Sequence, residues 1–147
     1  MNNLLFRLWN FWPPFLGAGI KIESISKDML QIRVRLKKRF WNGNLVGTAY
    51  GGSIFSMVDP FYMVMLLTHL KKEFIIWDKS SSVRFRKPGT TDLFAEFELT
   101  QKDFDDIREK MKTEEKFDWE RMVLVKDPAG NTIAEVNKVI HIRRKSV

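Results

Sequence analysis

The chain of 147 residues contains 44% hydrophobic residues, two histidines and no cysteine, and it carries a formal net charge of +7. Its size predicts one domain with a core of its own, while the missing cysteines exclude disulfides and thiolate chemistry and fit a cytoplasmic location. Two histidines leave little room for a histidine metal site, so we expect neither metal nor cofactor, and the positive charge suits an anionic partner or simply solubility.

Residues 3–12 predict a short helix with leucine and tryptophan on one face, which Pro13 and Pro14 would end. The segment is too short to span a membrane and has no signal-peptide cleavage region. We expect it to dock on its own domain or on a sister subunit. Insertion into a membrane surface is the alternative.

Two strands are predicted next, at 19–25 and 29–37. The second alternates strictly, with apolar residues at even positions from 30 to 36 and polar residues, including Arg33, Arg35 and Lys37, at the odd positions. Such alternation indicates an antiparallel sheet with one buried and one solvated face. We expect the basic residues to form a solvated face rather than a binding surface.

Residues 54–70 are apolar for most of their length and contain a single carboxylate, Asp59. The segment before them carries Asn44, Gly47 and two adjacent glycines, which suit tight turns and close backbone approach. A helix that is apolar on all sides is normally buried, so we expect a buried helix over about 53–69.

Pro60, directly after Asp59, leaves two possibilities for the local structure. Asp59 could cap a helix that has Pro60 at its first position. Alternatively, one long helix could bend at Pro60 and carry Asp59 on an inner face. An aspartate in an apolar helix is costly to bury unless something pairs with it or uses it.

The second half of the chain predicts further strands and one helix. The strands fall at 74–77 with 80–86, 92–99, 122–126 and 132–143. A helix at about 103–116 has a narrow apolar stripe and is expected to lie on the surface as an insert. The order of elements predicts an α+β domain with an antiparallel sheet of about six strands around one long central helix.

The motif-bearing stretch resembles that of hotdog-fold thioesterases of the phenylacetyl-CoA thioesterase type. In that family an Asn is followed by Gly-Thr, by His-Gly-Gly and, seven residues after the second Gly, by Asp. The matching positions here are Asn44, Gly47, Thr48, Gly51, Gly52 and Asp59, with Tyr50 where the family usually has His. The Tyr-Gly-Gly and Asp-Pro forms are similar to a poorly characterised bacterial branch. The resemblance implies a hotdog fold, a single central helix bent at Pro60, and open sheet edges paired in a homodimer or a dimer of dimers.

The resemblance also implies hydrolysis of an acyl-CoA thioester, with Asp59 as general base or nucleophile. The amides of Gly51, Gly52 and Ser53 would form the oxyanion hole, and the glycine donor would come from the partner subunit. A plain entry turn with Ser53 as N-cap is the structural alternative, and both can hold together. A Tyr50 hydroxyl could replace the hydrogen bond of the usual His, but it cannot act as a base near neutral pH.

Other positions are candidates for substrate contacts. Asn44 could orient water or substrate, or serve as an ordinary turn residue, and Thr48 is a weaker candidate. Coenzyme A phosphates could be bound by Arg84, Arg86 and Lys87, which could equally form a solvated edge. An acyl pocket or plain core could be formed by Phe55, Met57, Phe61, Tyr62 and Met63.

Two other classes of function compete with hydrolysis. A non-catalytic acyl-CoA or lipid-binding hotdog module is favoured by Tyr50 and Pro60. Nucleic-acid binding rests on charge alone, and because the sequence has no aromatic RNA-binding signature or recognition helix, we do not expect a nucleic-acid partner.

Overall fold

The computed structural model of the chain describes residues 8–145. Six antiparallel strands form one sheet in the order β1-β2-β4-β5-β6-β3. The strands are β1 Ile20–Ile25, β2 Gln31–Leu36, β3 Phe74–Phe85, β4 Leu93–Glu98, β5 Lys116–Lys126 and β6 Thr132–Arg144. The helices are α1 Pro13–Ala18, α2 Gly51–Ser56, α3 Phe61–Leu70 and α4 Gln101–Thr113, with 3-10 turns at Trp9–Phe11 and Phe40–Asn42.

Alternation along β2 produces the two faces that the sequence predicts. Ile32, Val34 and Leu36 are buried on the concave face of the sheet. On the convex face, Arg33 pairs with carboxylates of β1 and β4, and Arg35 pairs with Glu23 and with Asp92. These basic side chains are therefore neutralised across neighbouring strands, as expected of a solvated face.

The concave face of the sheet wraps around α2 and α3. Residues with at most 2% exposure along this helical stretch are Ile54, Met57, Val58, Phe61, Met65, Leu66 and Leu70. The ring of Phe61 lies 4.9 Å from that of Phe97 on β4, and the ring of Tyr62 lies 5.4 Å from that of Trp119 on β5. This is the hotdog architecture that the resemblance implies. By length and composition Gly51–Leu70 would also suit a membrane span, but 56% of its apolar window is buried inside the domain, as for a core helix.

The predicted central helix is present as a 20-residue helical stretch, Gly51–Leu70, that a turn at 57–60 divides into α2 and α3. Pro60 has no amide hydrogen, so it cannot donate to the carbonyl of Ser56. The amides of Val58 and Asp59 both donate to the Phe55 carbonyl, which marks the local break. Asp59 caps neither segment, because α3 begins at Phe61 without a side-chain cap.

The N-terminal expectation needs a correction. Of the predicted helix 3–12, residues 3–7 lie outside the described part of the chain. The two prolines begin α1 instead of ending a helix. Proline has no amide hydrogen, and the first residues of a helix can lack one because their amides have no acceptor within the helix. The rings of Trp9 and Phe15 lie 6.5 and 6.1 Å from that of Phe61, so this segment docks on its own domain.

Pairing across the sheet changes the bounds of three predicted elements. The helix expected at 103–116 ends at Thr113, and β5 begins at Lys116, because β6 provides a pairing partner as far as Arg143. The two pieces expected at 74–77 and 80–86 are one strand, β3, with an irregularity between Asp78 and Ser80. These differences arise from hydrogen bonds between strands far apart in sequence, which local propensity does not predict.

Candidate active site

The turn between α2 and α3 holds Asp59 beside the edge of the sheet. Its side chain is 47% exposed, and Oδ1 accepts a hydrogen bond of 3.0 Å from the Nζ of Lys138 on β6. Oδ2 has no partner within residues 8–145, so one oxygen is held while the other faces outward. An oriented carboxylate with a free oxygen can accept a proton from water or attack an electrophile.

Lys138 is the one charged side chain in the described chain that is fully buried. Its ammonium also lies 2.8 Å from Oδ1 of Asp78 on β3, at an angle outside hydrogen-bond geometry, so this second contact is an ion pair. A buried ammonium is stable only with close counter-charges, and here two carboxylates provide them. The cluster Asp59–Lys138–Asp78 therefore carries one net negative charge when all three groups are ionised.

Burial raises the pKa of Asp78, and the neighbouring Lys138 ammonium opposes that effect without cancelling it. The negative charge of Asp59 adds to the increase. Asp78 therefore ionises less readily than an ordinary aspartate, although it keeps Lys138 as its counter-charge.

The sequence prediction missed Lys138 and Asp78. On β6 the buried positions alternate through Val136, Lys138, Ile140 and Ile142, so the lysine stands in phase with apolar residues. A lysine at an inward position of an alternating strand was the available signal. Asp78 lies in phase with the buried Ile76 of β3, but the prediction interrupted the strand after Trp77, where an irregularity follows Asp78.

The glycines lie at the start of α2, where Tyr50 is the N-terminal flanking residue. The amide of Ser53 donates to the Tyr50 carbonyl at 3.0 Å, so it is not free to bind a substrate oxyanion. The amides of Gly51 and Gly52 donate to no acceptor within residues 8–145. Among the three predicted donors, these two retain hydrogen-bonding capacity.

Two aromatic rings cover the glycines. A Cβ on Gly51 would lie 2.9 Å from the ring of Phe85 on β3, and a Cβ on Gly52 would overlap the ring of Tyr50. Any side chain at either position would therefore displace a ring. Tyr50 is 58% and Phe85 is 57% exposed, so both rings present apolar surface beside the free amides.

Asn44 and Thr48 have the structural role of a turn. The side-chain oxygen of Asn44 accepts from the amides of Val46 and Thr48, and its nitrogen donates to the Thr48 hydroxyl at 2.7 Å. These bonds occupy most of the hydrogen-bonding capacity of the Asn44 amide. Of the two interpretations, the turn residue is the one whose contacts are present in this structure.

A shallow cleft of about 430 Å³ joins this turn to the start of α2. Its lining includes Asn44, Thr48, Gly51, Arg86 and Lys87. The cleft thus brings together five of the predicted site residues.

The three candidate phosphate-binding cations differ in whether they line the cleft and in whether they are already paired. Arg84 does not line the cleft, and Arg86 is paired with Glu135 at 2.7 Å. Lys87 makes only a long hydrogen bond of 3.4 Å to Asn131, so it is the most available cation at the cleft.

The candidate acyl-pocket residues divide in a similar way. Met57, Phe61 and Tyr62 are at most 5% exposed and belong to the core, and burial raises the pKa of Tyr62. Met63 is partly buried and Phe55 is 36% exposed. Of the five candidates, Phe55 on α2 and Met63 on α3 are thus the side chains accessible enough to contact a substrate.

Within one chain, the free amides of Gly51 and Gly52 do not lie next to the Asp59 carboxylate. Gly52 and Asp59 are seven positions apart, across α2 and the turn that follows it, and a helical rise over that interval corresponds to about 10 Å. The oxyanion donor and the base of a hydrolase must both lie about 3 Å from the reacting group. Neither Asp59 nor Lys138 lines the cleft that holds Gly51.

Comparison with known proteins supports this architecture. The sequence matches the family described as Domain of unknown function (DUF4442) over residues 3–142. The chain belongs to this family. None of the curated proteins compared with it matches.

Solved structures similar to this DUF4442 chain have the hotdog fold. Protein PA5026 from Pseudomonas aeruginosa, described as a protein of unknown function and probable thioesterase, is 21% identical, with a TM-score of 0.84 over 99% of this chain and 97% of that one. Thioesterase HI1161 from Haemophilus influenzae is 8% identical, with a TM-score of 0.66 over 95% of this chain and 88% of that one. A Q49A mutant of thioesterase PA1618 from P. aeruginosa is 7% identical, with a TM-score of 0.69 over 99% and 96%. Identities this low establish only the fold, so the activity has to be inferred from the residues of the site.

Proposed function

We propose that the protein hydrolyses acyl-CoA thioesters and that Asp59 is its general base or nucleophile. The observation that carries this proposal is the Asp59 carboxylate itself, which is half-exposed beside an apolar helix and held through one oxygen by a buried lysine. Structural neighbours described as thioesterases support the same reaction class.

In the general-base form, Oδ2 of Asp59 takes a proton from water as the water oxygen bonds to the thioester carbonyl carbon. The resulting oxyanion accepts hydrogen bonds from backbone amides, for which Gly51 and Gly52 are the free candidates. When the intermediate collapses, the carbon–sulfur bond breaks and the thiolate takes the proton that Asp59 holds. In the alternative, the Asp59 oxygen attacks the carbonyl carbon and expels the thiolate as the carbon–sulfur bond breaks, and water then hydrolyses the resulting acyl anhydride to free the acid and Asp59.

We propose further that two copies of the chain form the working unit. Gly51 lies against Phe85 at the C-terminal end of β3, whereas Asp59 shares Lys138 with Asp78 in the N-terminal half of that strand. The outer edge of β3 has no strand beside it within the described chain. Antiparallel pairing of two β3 edges about a two-fold axis would place the glycine end of one copy beside Asp59 of the other.

A binding module without turnover is the second candidate. The Tyr50 ring beside Gly52 favours it, because the ring occupies space that a substrate carbonyl would need. Binding without hydrolysis would leave the Asp59 carboxylate without a chemical role.

Release of free thiol from short-chain, medium-chain, long-chain and aryl acyl-CoAs tests this proposal. The protein has no cysteine, so a thiol reagent reports released coenzyme A without background from the protein. We expect saturable hydrolysis of at least one class. Saturable binding of an acyl-CoA by calorimetry, with no thiol release from any member of the panel, would establish the binding module instead.

A further inference from the structure

We propose that Lys138 and Asp78 are positioning residues for Asp59, a role that rests on the proposed hydrolysis. Lys138 would fix the Asp59 carboxylate through Oδ1 and supply its counter-charge. Asp78 would share that counter-charge and so limit how strongly the ammonium holds Asp59.

The geometry of the cluster supports this role. The Lys138 side chain is 1% exposed, and its Nζ lies 3.0 Å from Asp59 and 2.8 Å from Asp78. The three groups come from the helix turn and from two adjacent strands, with Ser81 opposite Lys138 in the β3–β6 register. A side chain fixed by the sheet therefore reaches the one carboxylate of the central helix.

The sharing of one ammonium has a chemical consequence. A carboxylate paired alone with a buried ammonium is a weak base, because its ionised form is strongly stabilised. A second carboxylate on the same ammonium weakens that stabilisation. Asp78 would thereby preserve the basicity of Asp59 while Lys138 preserves its orientation.

Each element packed against Lys138 contributes a charged group near the cluster. Arg121 on β5 lies opposite Lys138 in the β5–β6 register, and it pairs with Asp103 on α4. Asp78 is the contribution of β3, and Asp59 that of the central helix. Since Arg121 has its own carboxylate, it is not expected to replace Lys138.

The variants Lys138→Met, Asp78→Asn and Lys138→Met with Asp78→Asn separate positioning from folding. The double variant removes both buried charges of the β3–β6 pair, so it keeps the protein foldable if Lys138→Met alone does not fold. We expect kcat/KM to fall roughly tenfold to a hundredfold in both variants that lack the lysine, because even a small displacement of a catalytic base lowers the reaction rate steeply.

The pH dependence of kcat/KM gives a readout that a purely structural role would not move. Loss of the ammonium should move the acid limb to higher pH, because the ionised base loses its counter-charge. Asp78→Asn should move the limb to lower pH, because a like charge is removed. Folded variants that all retain the wild-type acid limb and rate would overturn the proposal.

A second measurement does not depend on turnover. A buried ammonium exchanges its protons slowly, so nitrogen-15 spectra of lysine-labelled protein should show a protected signal that disappears in Lys138→Met and shifts in Asp59→Asn. If Asp59→Asn leaves that signal unchanged, the contact is absent in solution and the positioning role is wrong, even in an active enzyme. If no acyl-CoA is hydrolysed while the signal shifts, the contact exists but the proposed function and the positioning role both fail.

Discussion

At the scale of single residues, the charge on Lys138 is stable inside the domain because two carboxylates approach it. Replacing either carboxylate leaves a neutral pair, whereas replacing the lysine leaves two carboxylates without their cation. Leaving buried charges uncompensated is strongly destabilising.

We therefore expect Lys138→Met to lower the free energy of unfolding by roughly 2 to 4 kcal/mol, a value reduced for the partial exposure of both carboxylates. Asp59→Asn should change the free energy of unfolding much less. Urea unfolding followed by circular dichroism measures both. Equal stability of Lys138→Met and the wild type would contradict the assignment of a buried ion cluster.

Asp103 provides a pH-dependent contribution to stability. Partial burial alone would raise its pKa, but hydrogen bonds from the amide and hydroxyl of Thr100 and the charge of Arg121 outweigh that effect and lower the pKa. A lowered folded-state pKa stabilises the fold above the unfolded value of 3.8, and this contribution is lost as pH falls through the folded value.

Asp103→Asn should therefore cost about 2 kcal/mol near neutral pH. The difference from the wild type should shrink as the pH falls below the unfolded value. Unfolding free energies measured across the acid range check this expectation. A difference that stays constant with pH would mean that the carboxylate charge is not involved.

How far the site could be predicted also becomes clear at this scale. The family resemblance over Asn44 to Asp59 singled out Asp59 and the two glycines as site residues, and their roles stay predictions. The inward phase of Lys138 could be read from the alternation along β6, but its approach to Asp59 and Asp78 depends on pairing between residues far apart in sequence.

At the scale of elements, the division of the central helix follows from a single residue. Pro60 forces the turn at 57–60, and the turn leaves the Asp59 side chain partly exposed at the sheet edge. The break was visible in the sequence as an awkward proline, but the sequence did not show that the Asp59 carboxylate would bind Lys138 instead of capping a helix.

Pro60→Ala should let residue 60 donate to the Ser56 carbonyl and continue the helix. We expect a melting temperature equal to or above that of the wild type, together with a loss of hydrolysis as Asp59 moves away from Lys138. Thermal unfolding and thiol release measured on the same preparation test this. Full activity in a folded Pro60→Ala protein would show that the turn does not position Asp59.

The order of the strands along the chain was predictable because alternation and turn residues mark each strand. The outer bounds of β3 were predicted to within one residue, but the start of β5 was not, since pairing with β6 lengthens that strand beyond what local propensity indicates.

At the scale of the whole molecule, the proposed two-fold pairing has a consequence that one chain alone could not produce. If the oxyanion donors and Asp59 come from different copies, two differently damaged chains can complement each other. Asp59→Asn damages the base, and Gly52→Ala displaces the Tyr50 ring beside the free amides.

Mixed dimers of these two variants would contain one site with both defects and one site with neither. We expect each pure variant to be nearly inactive and the mixed population to recover up to about a quarter of wild-type activity, since half of the random dimers would hold one intact site. Thiol release after subunit exchange measures this. No recovery, with exchange shown by differently tagged chains, would place the site within a single chain.

The most direct test of the account is the comparison of kcat/KM for acyl-CoA hydrolysis between the wild type and Asp59→Asn. Asp59→Asn is a clean probe because Lys138 and Asp78 still form a neutral pair in it. Asp106→Asn is the control, since it replaces an exposed carboxylate of α4 that pairs with Lys102 and not with the cluster. The account predicts a loss of roughly a hundredfold or more in Asp59→Asn and a far smaller change in the control. Hydrolysis that Asp59→Asn leaves at the wild-type rate would contradict it.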